Sequence, residues 1–196
     1  MSMRAAFLDK DGTLVENVPY NIDPRLVRFT PGAVDALRTL SDAGYALIIA
    51  TNQSGVARGY YSVSQLEHIR EVVTSKLAEE GVVLAGYYVC PHHPGGALPA
   101  YAIDCACRKP KPGMLLRAAR ELDLDLESSW MFGDILDDIE AGRRAGCRGA
   151  LIDTGGETEW KPGALRVPHV VGGDLLEAAR SVLAYEQRSM IEAVAT

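Results

Sequence analysis

The sequence predicts an α/β fold: a doubly wound parallel sheet with helices on both faces. Three observations predict it. Short apolar runs of strand length alternate with amphipathic stretches of helix length. The run Tyr45–Ala50 is apolar throughout, as a strand buried on both faces must be. Carboxylate and hydroxyl residues follow the runs directly, at the carboxyl strand ends where such sheets bind ligands.

Taken in order, Ala5–Leu8 reads as the first strand. Thr30-Pro31 has the form of an N-cap followed by a first-turn proline, opening a helix to about Asp42 that Gly44 ends. Tyr45–Ala50 is the second strand. Ser62-Val63-Ser64-Gln65 has the pattern of a capping box, and the helix it opens runs to about Glu80 and stops at Gly81. Gly86–Val89 is a short strand and Gly113–Leu122 a helix. Trp130–Phe132 is a strand, Asp137–Ala145 a helix closed by Gly146, and Ala150–Ile152 a strand. A last helix starts at Asp174 and frays near Thr196. Between them, Pro91 to Pro112 is rich in Pro, Gly and Cys and too long for an ordinary connection. Something other than apolar burial must order it.

The composition narrows the function classes. Hydrophobic residues make up 47% and charged residues 23% of the 196 residues, which suits a globular chain rather than a disordered one. No apolar run reaches the roughly 18–20 residues of a membrane span. Met1 to Lys10 lacks the pattern of a signal peptide, so the expectation is a cytoplasmic protein. A net charge of −6 disfavours nucleic acid and anionic membrane as partners but permits a local basic pocket. Such a pocket would suit a small phosphorylated ligand. Of four cysteines, three fall between Cys90 and Cys107, which in such a compartment points to metal before disulfide.

Four segments carry candidate chemistry. In Asp9-Lys10-Asp11-Gly12-Thr13, a strand-end carboxylate can attack phosphorus, and a second one two residues on can protonate a leaving oxygen and then activate water. The plain alternative is an Asp-Gly turn. Thr51-Asn52-Gln53-Ser54-Gly55 offers hydroxyl and amide donors to phosphate oxygens, or is simply a polar turn. Arg108-Lys109-Pro110-Lys111 offers charge to neutralise phosphate, or is a solvated patch. Gly133-Asp134-Ile135-Leu136-Asp137-Asp138 places carboxylates suited to a hard Mg²⁺. Asp137 and Asp138 are equally what a helix start favours, and Asp137 is left with that role.

Together and in this order, the four segments resemble the signature motifs of the haloacid-dehalogenase (HAD) superfamily of phosphatases. Matched residue by residue, the resemblance implies Asp9 as nucleophile, Asp11 as general acid and base, Thr51 as phosphate ligand and Lys109 as the neutralising lysine. It implies Mg²⁺ held by Asp9, the Asp11 backbone carbonyl and Asp134, with Asp138 supporting that shell. The stretches TNQSGVARG (Thr51 to Gly59) and CPHHP…CACRKPKPGM (Cys90 to Met114) resemble more narrowly the subfamily of heptose bisphosphate and histidinol-phosphate phosphatases. That likeness implies one HAD-like domain over residues 1–196, no large cap domain, and a short zinc loop inserted at about 90–107; the missing cap suggests a monomer, whose expected partner is a small phosphorylated metabolite. It implies a sugar phosphate as substrate, D-glycero-D-manno-heptose 1,7-bisphosphate first, histidinol phosphate or another sugar phosphate as the alternative. Arg108 would then contact the substrate, with Asn52 and Arg58 as further contacts. One position departs: Ile135 stands where the heptose enzymes usually have lysine.

Cys90-x-His92 and Cys105-x-Cys107 supply three thiols and an imidazole, a closed tetrahedral set for structural Zn²⁺. His93 is an alternative to His92, which the family pattern favours. Cys147 reads as a small core residue. His68 and His169 have no evident partner in the sequence.

Overall fold

The computed structural model describes residues 2–155, 157 and 160–194. Its elements in chain order are β1 (Met3–Leu8), a 3-10 turn (Pro24–Leu26), α1 (Ala33–Asp42), β2 (Ala46–Asn52), α2 (Val63–Glu79) and β3 (Gly86–Cys90). Then follow α3 (Gly113–Leu122), β4 (Leu124–Gly133), α4 (Leu136–Ala145), β5 (Arg148–Ile152), β6 (Val170–Gly172) and α5 (Leu175–Val194). The six strands form one sheet in the order β3-β2-β1-β4-β5-β6, and the paired strands run parallel.

The alternation of side chains along the strands builds the two faces. On one face Ala6, Leu8, Leu47, Ile49, Trp130 and Phe132 pack with Leu37 and Leu40 of α1, Val73 and Leu77 of α2, and Ala178 and Val182 of α5. On the other, Ala5, Phe7, Ile48, Ala50 and Met131 pack with Met114, Leu115 and Ala118 of α3 and with Ala145 at the end of α4. Cys147 is buried in that second layer, the core position foreseen for it. Because β1 and its neighbours are buried on both faces, their carboxyl ends are fixed points from which loop residues are aimed.

The helix boundaries follow local chemistry, with one correction. Ser62 caps α2 by accepting from Gln65 N, and Gln65 returns the bond to Ser62 N: the capping box is formed. Gly146 closes α4 with φ 99°, a conformation that suits glycine. Thr30, however, does not cap α1. Its hydroxyl donates to the Thr13 carbonyl at 2.7 Å, so it ties down the first loop instead, and Gly32 with φ 73° opens the helix two residues later.

β4 starts well before Trp130, because Leu124 and Asp125 pair with Met3 and Arg4 despite their polar surroundings. Thr51 and Asn52 belong to β2 rather than to the loop after it. The end of the last helix near Thr196 lies outside the described residues.

Between the described elements there is no inserted cap domain. The long connections 9–32 and 91–112 carry only the 3-10 turn and two isolated bridges, Asp11 with Val15 and Val15 with Phe29. No described helix is long and apolar enough to cross a membrane.

Candidate active site and metal centres

The carboxyl ends of β1, β2 and β4 lie side by side in the sheet, so the residues after them converge. Asp9 leaves β1, Thr51 and Asn52 end β2, and Asp134 leaves β4. Lys109 arrives from the long connection ahead of α3 and is buried among them. Its Nζ lies 2.6 Å from Asp9 Oδ1 and 2.6 Å from Asp138 Oδ1. Asn52 fixes this lysine from the backbone: Lys109 N donates to Asn52 Oδ1 and Asn52 Nδ2 donates to Lys109 O, each at 3.1 Å. The sequence offered Asn52 as a substrate contact; the structure gives its amide this clamping task as well as a place on the cleft wall.

The site is over-supplied with negative charge. Asp9, Asp134 and Asp138 each bring a carboxylate oxygen within 4.8 Å of the others, and Lys109 is the cation that Asp9 and Asp138 share. Burial alone would lower the Lys109 ammonium, yet Asp138 and Asp9 raise it above its ordinary value, so it stays charged. Burial, and next the neighbouring Asp9, push the Asp134 carboxyl up to about 6. Burial also raises Asp138, against the pull of Lys109. A divalent cation would balance the three carboxylates and one ammonium, and the all-oxygen donor set suits Mg²⁺. Glycine is required on both sides of this pocket. A Cβ on Gly12, whose φ is 86°, would stand 2.2 Å from Asp134 Oδ2. A Cβ on Gly133 would stand 2.2 Å from Asp138 Oδ2.

Asp11 faces a different set. Its Oδ1 meets Lys10 Nζ at 2.7 Å, and its Oδ2 accepts from Gln53 Nε2 at 2.6 Å. Burial raises this carboxyl, against the pull of the neighbouring Lys10. Gln53 and Lys10 are buried polar residues to which the sequence reading gave no role. The available signal was their position inside the two strand-end segments already singled out. Beside Asp11 opens a cleft of about 280 Å³, walled by Asn17, Tyr20 and Asn21 on one side and by Asn52, Ser54 and Tyr61 on the other.

The long connection after β3 folds back on a second cluster. Cys90, His92, Cys105 and Cys107 bring four donor atoms together. Cys107 Sγ lies 3.2 Å from the sulfurs of both Cys90 and Cys105, those two are 3.5 Å apart, and His92 Nδ1 is 3.4 Å from Cys107 Sγ. All three are free thiols. Thiolate bonds of ~2.3 Å to a tetrahedral zinc imply sulfur–sulfur edges of ~3.8 Å, so a slight expansion would seat the ion. His93 is turned away, with Nε2 3.3 Å from Arg58 Nη2, so His92 is the imidazole of the cluster. Arg108, next after Cys107, donates to the His92 carbonyl at 3.3 Å.

His68 is exposed on α2, with Glu71 at 3.8 Å. His169 does have partners, contrary to the sequence reading. It lies 2.7 Å from Arg143, accepts from Gly149 N, and meets the Trp130 and Tyr185 rings edge-on. Those contacts cross from the last connection to β5 and α5, separations a local pattern cannot reveal.

A strand-end carboxylate gripped by a buried ammonium, beside surplus carboxylates that need a divalent cation, defines a phosphoryl-transfer enzyme of the doubly wound class. Comparison with known proteins agrees. A family described as "HAD-hyrolase-like" matches residues 106–178. The D-glycero-beta-D-manno-heptose-1,7-bisphosphate 7-phosphatase of Pasteurella multocida (strain Pm70) is 45% identical over 153 residues, 78% of this chain and 83% of that protein. The D-glycero-alpha-D-manno-heptose-1,7-bisphosphate 7-phosphatase of Photorhabdus laumondii is 40% identical over 157 residues, 80% of this chain and 86% of that one. The crystal structure of D,D-heptose 1,7-bisphosphate phosphatase from B. bronchiseptica, complexed with magnesium and phosphate, gives a TM-score of 0.77 at 32% identity. That match covers 93% of this chain and 99% of that one. The chain belongs to the haloacid-dehalogenase superfamily and is a phosphatase.

Proposed function

We propose that this phosphatase removes the 7-phosphate of D-glycero-D-manno-heptose 1,7-bisphosphate through an aspartyl-phosphate on Asp9. The observation that carries the chemistry is Lys109 Nζ at 2.6 Å from Asp9 Oδ1, within a cluster of three carboxylates. The lysine holds the Asp9 carboxylate in one orientation and offsets phosphate charge as the ester approaches. An Asp9 oxygen attacks phosphorus, the phosphorus–oxygen bond to the sugar breaks, and Asp11 gives its proton to the departing alkoxide. Water then attacks the acyl phosphate, Asp11 takes the water's proton, and inorganic phosphate leaves with Asp9 regenerated. Thr51, buried at the end of β2, supplies a hydroxyl to a phosphate oxygen.

Asp9, the Asp11 backbone carbonyl and Asp134 would hold Mg²⁺, with Asp138 keeping Lys109 in place. The ion supplies charge neutralisation for the transferred phosphoryl group. Cys90, His92, Cys105 and Cys107 would hold a structural Zn²⁺, since protein atoms fill all four positions. Cysteines gathered into one cluster of free thiols, rather than paired in disulfides, fit a cytoplasmic enzyme.

The substrate assignment is supported by the relatives of both anomeric names and by the polar cleft beside Asp11. Arg108 donates to the His92 carbonyl and Arg58 lies against His93, and to these two cations beside the zinc loop we assign the substrate's second phosphate. A phosphate-release screen with Mg²⁺ tests it, using both anomers of the bisphosphate, sugar monophosphates and histidinol phosphate. Preference for a heptose bisphosphate in kcat/KM is the expected result. Preference for histidinol phosphate would replace the substrate and keep the mechanism. Transfer of phosphate to added alcohols in place of water would replace hydrolysis.

A further inference from the structure

We propose that Gln53, anchored by Tyr61, is the positioning residue of the proton-transfer step. The inference rests on Asp11 acting as the acid and base. Three contacts meet on one buried amide. Gln53 Nε2 lies 2.6 Å from Asp11 Oδ2 and 2.9 Å from Thr51 Oγ1, and Tyr61 OH lies 2.9 Å from Gln53 Oε1.

The directions of these bonds follow from the donor and acceptor inventory. An ionised carboxylate only accepts, so the amide nitrogen must face Asp11. The amide oxygen then faces Tyr61, whose hydroxyl must donate. Tyr61 is itself buried, packed with Val56 and Leu66, so the anchor is rigid. Its partner Gln53 is tethered further: its backbone N donates to Cys90 O at 2.8 Å, on the neighbouring strand.

The arrangement does two things. It holds Asp11 Oδ2 while Lys10 Nζ holds Oδ1, so the carboxyl plane is fixed and the proton comes and goes at a remaining lone pair of a carboxyl that cannot turn. It also ties the carboxyl to Thr51, so the group that moves the proton and the hydroxyl that meets phosphate keep a fixed separation. A misplacement of about 1 Å in such a constellation costs on the order of 100-fold in rate. Without the phenol, the amide is free to turn, and its oxygen would then face the Asp11 carboxylate, which only accepts.

The test separates positioning from packing by the leaving group. A sugar alkoxide needs a proton to depart; 4-nitrophenolate does not. First-turnover rates, read by rapid quench with heptose bisphosphate and with 4-nitrophenyl phosphate, isolate leaving-group departure. Gln53→Leu is expected to slow the sugar phosphate by roughly 10- to 100-fold, at the lower end of what proton transfer contributes. The aryl phosphate should slow by less than about 3-fold on the same logic, with KM for both esters little changed.

Tyr61→Phe keeps the ring and its packing. It should show the same selectivity at about 3- to 10-fold, even if Gln53→Leu fails to fold. Equal slowing of both esters, or no slowing of the sugar phosphate, in the folded variant overturns the inference. Asp11→Asn is the control: if it lacks the leaving-group signature, the assignment of Asp11 as acid fails rather than the role of Gln53.

Discussion

Asn52 and Lys109 are joined by two reciprocal bonds, side-chain amide to backbone N–H and C=O, each 3.1 Å long. The strand end thus holds a loop residue that comes from 57 positions further along the chain. The lysine's ammonium reaches Asp9 from a backbone that has no strand of its own there.

Breaking this clamp should therefore damage both activity and stability. Asn52→Ala removes two hydrogen bonds worth about 1 kcal/mol each and leaves backbone groups unpaired, so unfolding free energy should fall by about 2 kcal/mol. The Lys109 ammonium should drift from Asp9, and kcat should fall by at least about 10-fold. Asn52→Asp is a sharper variant, because it points an oxygen at the Lys109 carbonyl and should lose at least as much. Urea unfolding and steady-state kinetics measure both; a variant with wild-type kcat would show that the lysine needs no clamp.

Asp9→Asn should leave a folded protein with no turnover, since an amide is too weak a nucleophile to form the acyl phosphate. In metal-free buffer the variant should unfold at a temperature no lower than wild type, because it removes one of three crowded carboxylates. Phosphate release and thermal unfolding report the two effects. Near-normal turnover by a folded Asp9→Asn protein would end the aspartyl-phosphate mechanism.

The pH dependence of metal-free stability has a definite sign. Asp134 is pushed from 3.8 up to about 6, first by burial and then by Asp9. The folded state therefore holds its proton more tightly than the unfolded state, and the group destabilises the fold as pH rises from about 4 through 6. The full penalty, present above about 6, is on the order of 3 kcal/mol at 1.36 kcal/mol per unit. Asp134→Asn should flatten this part of the stability curve, and Mg²⁺ should flatten it in wild type by favouring the ionised form. Chemical unfolding in EDTA at several pH values checks it. Parallel curves for wild type and Asp134→Asn would place the titration elsewhere.

The sheet and its active edge were legible because each signal is local. Apolar runs mark β1 and β2, glycines mark the helix stops, and the reactive residues sit next to strand ends. What stayed hidden depends on distant partners. Thr30 has the look of a cap, yet the Thr13 carbonyl competes for its hydroxyl and wins. Leu124–Ser129 is too polar to announce a strand until Met3 and Arg4 are there to pair with its start. Gln53 and Lys10 were visible in their segments, but only folding sets them on the two oxygens of Asp11. His169 acquires its place from Arg143 and the Trp130 ring, neither near it in sequence.

The cysteine cluster yields the prediction with the most direct readout. Elemental analysis of purified protein should find about one zinc per chain, with sulfur distances of ~2.3 Å and a nitrogen distance of ~2.0–2.1 Å by X-ray absorption. Apart from the hold on Lys109 and the packing of Tyr101 against Val56 and Leu66, the connection 91–112 has little apolar burial to order it. Leu98 and Ile103 are exposed, and Arg108 hangs from the segment through the His92 carbonyl. Ordering such a loop costs roughly 1–2 kcal/mol per residue, of which zinc binding, at about 10–16 kcal/mol, offsets a large part. Cys105→Ser/Cys107→Ser should therefore lose zinc, and protection of the loop amides from hydrogen exchange should fall. Asp9, Asp11 and Asp134 hang from the sheet and should keep their geometry. Consequently kcat/KM for a sugar bisphosphate should drop further than for 4-nitrophenyl phosphate, because only the larger ester needs Arg108 in place. Equal losses on both esters would mean that the loop acts on the chemistry through Lys109. A wild-type protein free of metal, with its loop amides still protected, would remove zinc from the account.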